Sequence, residues 1–446
     1  MTHNKVLFWS IVVALGGLLF GFDTAVISGA EKSIQLFWDL NVFEHGLTVS
    51  IALIGTVLGA MIGGIPSDKL GRKQTLFWIA VCYLVSALGS ALSYDWYAFL
   101  AFRFLGGIGV GASSVTAPLY ISEISPAHLR GRMVGLFQFN IVFGILIAYL
   151  SNYLLQGIGT DSWRWMLGVQ ALPSLVFMLA ILKVPESPRW LVMKKQAIDQ
   201  ARTILQRIDP ATAETTLADI RRSADHAHSN HHASLFSKQY KTPVTLAILF
   251  AIFNQVSGIN AIIYYSPRIF EMAGLGTSSA LLSSAGIGLV NLVFTMLAMN
   301  FIDRFGRRTL MLIGSVGLIV SLGLVARAFY MEEYHALNSS FSVPVYLFCF
   351  IAFFAFSQGA VIWVFISEIF PNEVRANGQA LGCFTHWLMA AIITFSFPYI
   401  AGRFGGSTIF LFFSVMMMLQ LVFAWKMMPE TKGTSLEQLE TTLVIH

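Results

Sequence analysis

Along the chain, runs of roughly twenty apolar residues alternate with short polar connections, a rhythm kept from the first few residues almost to the last. A helix rises about 1.5 Å per residue, so such a run crosses the ~30 Å hydrocarbon core of a bilayer with its backbone groups bonded internally. Twelve spans are predicted, near residues 6–30, 47–66, 75–93, 97–120, 133–154, 163–184, 243–270, 280–300, 310–330, 344–366, 378–401 and 405–428. The pattern therefore predicts an all-α polytopic membrane protein. One longer polar interval interrupts it: residues 185–242 are charged, broken by Pro185, Pro188 and Pro210, and predict short amphipathic helices. This linker separates residues 1–184 from residues 243–428, and a tail of residues 429–446 follows.

Composition agrees with that pattern. Of 446 residues 56% are hydrophobic and 11% charged, against about a quarter charged in a soluble globular chain. The net charge of +5 gains meaning only when mapped onto connections. Lys69, Arg72 and Lys73, then Arg130 and Arg132, a set from Arg189 to Lys241, Arg304 to Arg308, and Arg375 crowd alternate loops. By the positive-inside rule those loops, and both termini, are expected in the cytoplasm of a cell that carries the chain in its inner or plasma membrane. The basic character is thus topology and argues for no nucleic acid. Cys82, Cys349 and Cys383 all fall within apolar spans, which suggests packing residues and neither disulfides nor a thiolate metal site. The run from His226 to His232 has irregular histidine spacing in a polar loop, so no metal is expected there. The N-terminal span is too long for a signal-peptide core and is expected to stay attached.

Three signatures recur in the second half at nearly one offset. Asp68-Lys69-Leu70-Gly71-Arg72-Lys73 returns as Asp303-Arg304-Phe305-Gly306-Arg307-Arg308. Ser122-Glu123-Ile124 with Arg130 returns as Ser367-Glu368-Ile369 with Arg375, and Pro185-Glu186-Ser187 as Pro429-Glu430-Thr431. Such repetition predicts two pseudo-symmetric six-helix bundles around a central pathway. Asp68, Gly71, Arg72, Glu123, Arg130, Asp303, Gly306, Arg307, Glu368 and Arg375 fall at the predicted cytoplasmic span ends, where charges can join and part as a carrier changes state. We assign them to a conformational latch, with Gly71 and Gly306 permitting a tight turn and Arg72 and Arg307 offering planar forks to carboxylates or helix C-termini.

Polar chemistry inside the spans is concentrated in few places. The stretch from Phe253 to Pro267 carries Asn254, Gln255, Asn260, Tyr264 and Tyr265 around Gly258. On a straight helix Gln255 and Asn260 would stand about 140° apart. A break or over-rotation at Gly258 would bring these groups together, as in the discontinuous helices of secondary transporters. Asp23 lies within the first span, where a charge costs roughly 3 kcal/mol unless paired or wetted. Phe20, Asp23, Thr24 and Ile27 share its stripe. Arg103, the one charge within the fourth span, shares a face with Gly107 and Gly111, so Asp23 and Arg103 are expected to pair.

These residues carry a resemblance. Gly16-Gly17-Leu18-Leu19-Phe20-Gly21-Phe22-Asp23, Pro185-Glu186-Ser187-Pro188-Arg189-Trp190 and Gln255-Val256-Ser257-Gly258-Ile259-Asn260 together resemble the sugar porters of the major facilitator superfamily, over nearly the whole chain. The resemblance implies the major facilitator fold, transport by alternating access of a monosaccharide with a proton, no cofactor and no enzymatic activity, by a chain working as a monomer in the lipid bilayer. It implies proton coupling by Asp23 and Arg103. It also implies sugar contacts from Gln138, Gln255, Asn260, Tyr264, Asn291, Trp363 and Trp387, to which Phe20, an aromatic on the Asp23 stripe able to stack on a sugar, is added from its position. Three departures bear on which sugar: Asn254 where a glutamine is usual, His386 where an uncharged amide is common, and Gly359-Ala360 in place of Gly-Pro. Other readings are a proton-independent facilitator, an inositol or polyol carrier, and a sugar sensor that binds without turnover. No nucleotide loop, metal cluster or paired nucleophile and base supports an embedded enzyme.

Overall fold

The computed structural model describes residues 2–126, 129–227, 234–335, 340–371 and 373–432, and every described element is helical. The histidine run and the tail beyond Lys432 lie largely or wholly outside the described residues, as do the side chains of Arg130 and Asp303. Among the described residues, eleven helical segments are long and apolar enough to cross a membrane. The last, Arg375–Lys426, is broken at Gly405, whose φ of 79° and ψ of 169° no α-helix accommodates, so it supplies the eleventh and twelfth predicted spans. Large apolar side chains on single helix faces, such as Leu172, Leu175, Val176, Leu179 and Leu182, remain exposed, which is the surface a chain presents to lipid.

Several spans depart from straight rods. The seventh is two helices, Lys241–Val256 and Ile259–Met272, with Gly258 left-handed between them. The tenth is also two, Ser342–Phe356 and Gln358–Glu368, separated by Ser357 at φ −116° and ψ −89°. The sixth breaks between Ser162–Gly168 and Ala171–Ile181. Between the sixth and seventh spans the chain forms Pro188–Lys195, Ile198–Ile208 and Ala213–Ala227. Ser187 caps the first of these by accepting from Trp190 N at 3.2 Å, and Pro188 occupies a position where its missing N–H costs nothing.

The chain divides into two compact units. The first contains residues 1–23, 55–145 and 167–232. Its helices approach closely through small residues: Gly21 lies against the Ile141 carbonyl, and Gly144 against that of Leu18, so a methyl at either would strike backbone. The second unit contains residues 24–54, 146–166 and 233–446. One of its apolar clusters contains Phe250, Leu310, Met311, Phe365, Ile366 and Phe423, with Phe250 and Phe365 edge to face at 5.4 Å. Cys82 and Cys383 are partly buried, whereas Cys349, expected to pack, is exposed.

Candidate functional site

In the second unit the break at Gly258 decides which side chains meet. Its φ of 86° allows the seventh span to stop and restart, and the Phe413 ring lies where a Cβ would project. Ser257 Oγ donates to the Asn254 carbonyl at 2.6 Å, and Gly258 N to that of Gln255 at 3.0 Å, which satisfies carbonyls the ended helix leaves open. Gln255 and Asn260, far apart on a straight helix, are thereby bonded: Asn260 Nδ2 donates to Gln255 Oε1 at 2.7 Å. Gln255 Nε2 donates to Asn254 Oδ1 at 3.0 Å and also faces the imidazole of His386, 3.2 and 3.3 Å from its two nitrogens. His386 sits between the rings of Trp363 and Trp387, at centroid distances of 4.9 and 4.8 Å. Asn254, Gln255, Asn260, Tyr264, His386 and Trp387 are all buried. Asn254 Nδ2 meets no partner, so the cluster keeps one open donor. Amides that both donate and accept, next to aromatic faces, are what a polyhydroxylated ring requires. Asn291 is half-buried, accepts from Thr295 at 3.3 Å and makes no hydrogen bond to this cluster.

Polar residues that sequence reasoning passed over hold the neighbouring helices. Gln358, at the break in the tenth span, donates to Gln420 Oε1 at 2.5 Å, and Gln420 donates to Ser315 Oγ at 2.9 Å. Both glutamines are fully buried. The break in the tenth span thus falls at Ser357, two residues before Gly359-Ala360, and the adjacent Gln358 is tied by side chains. Further along the seventh span, Pro267 cannot donate to the carbonyl of Ile263, and Tyr149 Oη does so at 2.7 Å. Next to it Arg268 Nε donates to Glu31 Oε1 at 2.9 Å, and His45 Nε2 lies 2.5 Å from Glu31 Oε2. The signal for these was present, charges at the rim of apolar runs, but Glu31 lies just past the predicted end of its span.

In the first unit Arg103 Nη1 donates to Asp23 Oδ1 at 2.7 Å, and Nη2 to the Asp23 carbonyl at 3.3 Å. Both side chains are only 2–3% exposed. Gly106, one turn along from Arg103, lets the Ser86 side chain close over the pair, while Gly111 packs on the backbone at Thr56 and Ala60. Phe20 is buried and Gln138 half-buried in this unit.

The repeated signatures form the same knot twice, once within each unit. Arg72 offers Nε and Nη2 to Glu123 at 3.0 and 3.1 Å; Arg307 offers the same two nitrogens to Glu368 at 3.2 and 2.8 Å. Such planar, two-bond pairing is specific to arginine. Behind each fork a second glutamate caps the N-terminus of the next span. Glu186 accepts from the backbone N–H of Arg72 and Lys73, and Glu430 from those of Arg307 and Arg308, at 2.9 to 3.2 Å. Gly71 at φ 101° and Gly306 at φ 88° make the turn, and each has its glutamate carboxylate seated where a Cβ would be. Burial raises Glu186 above the usual carboxylate range, against the pull of those backbone donors. These caps were legible as a repeat yet carried no assigned role. Asp68 is largely exposed and contributes one 3.0 Å bond to Arg72. Among the described residues Arg375 meets no carboxylate: its Nε donates to the Phe370 carbonyl at 3.1 Å. The bonds given to Arg72, Glu123, Arg307 and Glu368 lie within their own units.

The sequence model for sugar (and other) transporters matches residues 9–443. A D-xylose-proton symporter of Escherichia coli K12 is 35% identical over 470 residues, covering 97% of this chain and 94% of its own. An arabinose-proton symporter of Bacillus subtilis is 37% identical over 442 residues, covering 98% and 94%. Among solved structures, the inward-open xylose transporter XylE from E. coli superposes with a TM-score of 0.86 at 34% identity, covering 97% of this chain and 98% of that one.

Proposed function

The chain belongs to the sugar transporter family of the major facilitator superfamily, and from that premise we propose that it imports a pentose or hexose together with a proton. It is a transporter and not an enzyme. The observation that carries the coupling is the Asp23–Arg103 pair, 2.7 Å apart and almost wholly out of water. Desolvating two charges is costly, and apolar residues of like size would hold two helices as well. An aspartate so placed earns its keep by exchanging a proton. Arg103 favours the ionised carboxylate and dehydration the neutral one, so a change in hydration between outward and inward states loads and unloads the site.

Within the second unit the sugar is held by Gln255, Asn260 and Asn254, with Trp363, Trp387 and Tyr264 against its C–H faces and Asn291 as a further contact; Phe20 and Gln138 are the sugar-contacting residues of the first unit. His386 replaces an amide beside Gln255, and its ring sets which hydroxyl pattern is accepted. The arginine forks and their glutamate caps keep each bundle's inner span ends rigid while the bundles rock. Both termini and the linker face the cytoplasm, and a single copy suffices. The test is uptake of labelled pentoses and hexoses by transporter-deficient cells, with and without a protonophore. Accumulation abolished by the protonophore supports symport; equilibration that ignores it would make the protein a facilitator.

A further inference from the structure

Three helices of the second unit meet at a second buried carboxylate, which lies about two turns beyond Asp23 on the first span and shares none of its partners. Glu31 of the first span is 1% exposed. It accepts from Arg268 of the seventh span at 2.9 Å and faces His45 of the second at 2.5 Å. Arg268 Nη2 also donates to Gln35 Oε1 at 2.6 Å, and Lys32 pairs with Glu271 at 2.5 Å beside it. The other ionisable groups around the cluster are Glu44, which accepts from Asn41 N at 3.0 Å, Tyr265, whose ring is 6.0 Å from the imidazole, and Tyr149, turned to the Ile263 carbonyl.

His45 is fully buried, and its Nδ1 has no hydrogen-bond partner. Opposite a carboxylate, Nε2 is the protonated nitrogen, so Nδ1 is a bare acceptor in a dry place. With Arg268 in position, Glu31 is neutralised and a second positive charge on His45 would be repelled. With Arg268 withdrawn, Glu31 would be a lone buried anion, and a proton on the imidazole restores balance. Arg268 rides on Ile259–Met272, the half-helix that also carries Asn260 and Tyr264, and its side chain is 24% exposed, with a way out to water.

We propose that Glu31 and His45 form a second proton-binding site, at which a proton and the Arg268 guanidinium compete for one carboxylate, so that acidification releases the outer half of the seventh span. His45 Nδ1 takes a proton from hydronium, an N–H bond forming as an O–H bond breaks and water leaves, and Arg268 exchanges Glu31 for solvent. The assignment of this end to the outside rests on the transport reading above; the competition itself does not. Linkage then runs both ways, and holding the half-helix closed expels the proton.

The test places a cysteine at Ser266, fully buried on that half-helix, in a chain whose three native cysteines are replaced by serine. Labelling by a membrane-impermeant maleimide is followed between about pH 8 and pH 5, the range in which histidine titrates. Rates are divided by those of the same cysteine in the Glu31→Gln background, which cancels the thiol's own titration. The normalised rate should rise several-fold on acidification. Glu31→Gln itself should label fast at all pH, and His45→Gln, which keeps the N–H donor but takes no proton, should label slowly at all pH. A pH response in His45→Gln equal to that of the parent overturns the proposal, as does a flat parent profile. Labelling needs no sugar, so a pH-gated half-helix in a protein that moves no sugar would sink the transport reading and leave this site standing.

Discussion

Replacing Asp23 by Asn asks the most of the coupling argument. The side chain keeps its size and an oxygen for Arg103, whose second bond, to the Asp23 carbonyl at 3.3 Å, is untouched. What is lost is the charge, in a site where the 2.7 Å bond is shielded from water. Arg103 keeps a bond to a neutral oxygen but loses its compensating anion in a dry site, so the variant should lose on the order of 1–3 kcal/mol of stability. Asp23→Ala, which strands Arg103, should lose about 3–5 kcal/mol. Function should respond far more sharply. A symporter moving one proton draws about 2.3 kcal/mol per 100 mV and about 1.4 kcal/mol per pH unit. Together these sustain an internal sugar excess on the order of a few hundred-fold. In Asp23→Asn the site imitates its protonated form permanently and cannot return empty, so that excess should fall to none. Counterflow needs only the loaded form to rock between sides and should persist in liposomes. The assay pairs protonophore-sensitive accumulation in cells with counterflow at matched protein levels. Continued uphill accumulation by Asp23→Asn would refute the coupling role and leave the pair as a clamp between two helices.

Gln255→Ala should weaken sugar binding at least tenfold, because a buried hydroxyl left unpaired costs about 1–3 kcal/mol; isothermal titration of purified protein measures it. Gly306→Ala should cost about 1–2 kcal/mol in a left-handed backbone and a further ~1 kcal/mol for the displaced Glu430 cap. Gly64→Ala, with nothing within 4 Å of the new methyl, should melt like the parent. Glu186 is held above the usual carboxylate range, so the fold disfavours its ionised form; its contribution is greatest at low pH and is lost as pH rises through the folded value. Melting should therefore show the wild type gaining on Glu186→Gln as pH falls from neutral towards about 4.3. A cysteine at Gln206, exposed on the linker, should resist impermeant thiol reagents on intact cells and react in inverted vesicles.

Bilayer thickness made the spans readable, since it fixes the length of an apolar run whatever its sequence. It separated the eleventh and twelfth spans close to Gly405 but could not place the breaks inside a span: Ser357, with no proline beside it, depends on neighbours supplied from elsewhere. Asp23 and Arg103 were legible because a charge in lipid demands a partner and each span offered one. Gly258 was legible because only a break reconciles amides on opposite faces. Glu31, His45 and Arg268 were not, because three separate helices contribute one group apiece and none is conspicuous alone. Glu186 and Glu430 announced themselves as a repeat, but the role of helix cap appears only when a carboxylate is found against a turn more than a hundred residues away.

The first arginine knot has a consequence for how the protein is made. Arg72, Glu123, Glu186 and Trp190, whose indole N–H bonds the Asp68 carbonyl at 2.8 Å, are all in the chain before residue 191, as are Asp23 and Arg103. A nascent chain emerging from the ribosome can therefore close its own polar fastening, cap the span that starts at Arg72 and neutralise its one deeply sunk aspartate while the second bundle is still untranslated. Synthesis need not wait for a partner. The later half, built around Arg307, Glu368 and Glu430, carries its own copy of the fastening and completes it only at Glu430, so a message cut short before that residue would leave that half unsecured and the earlier one whole.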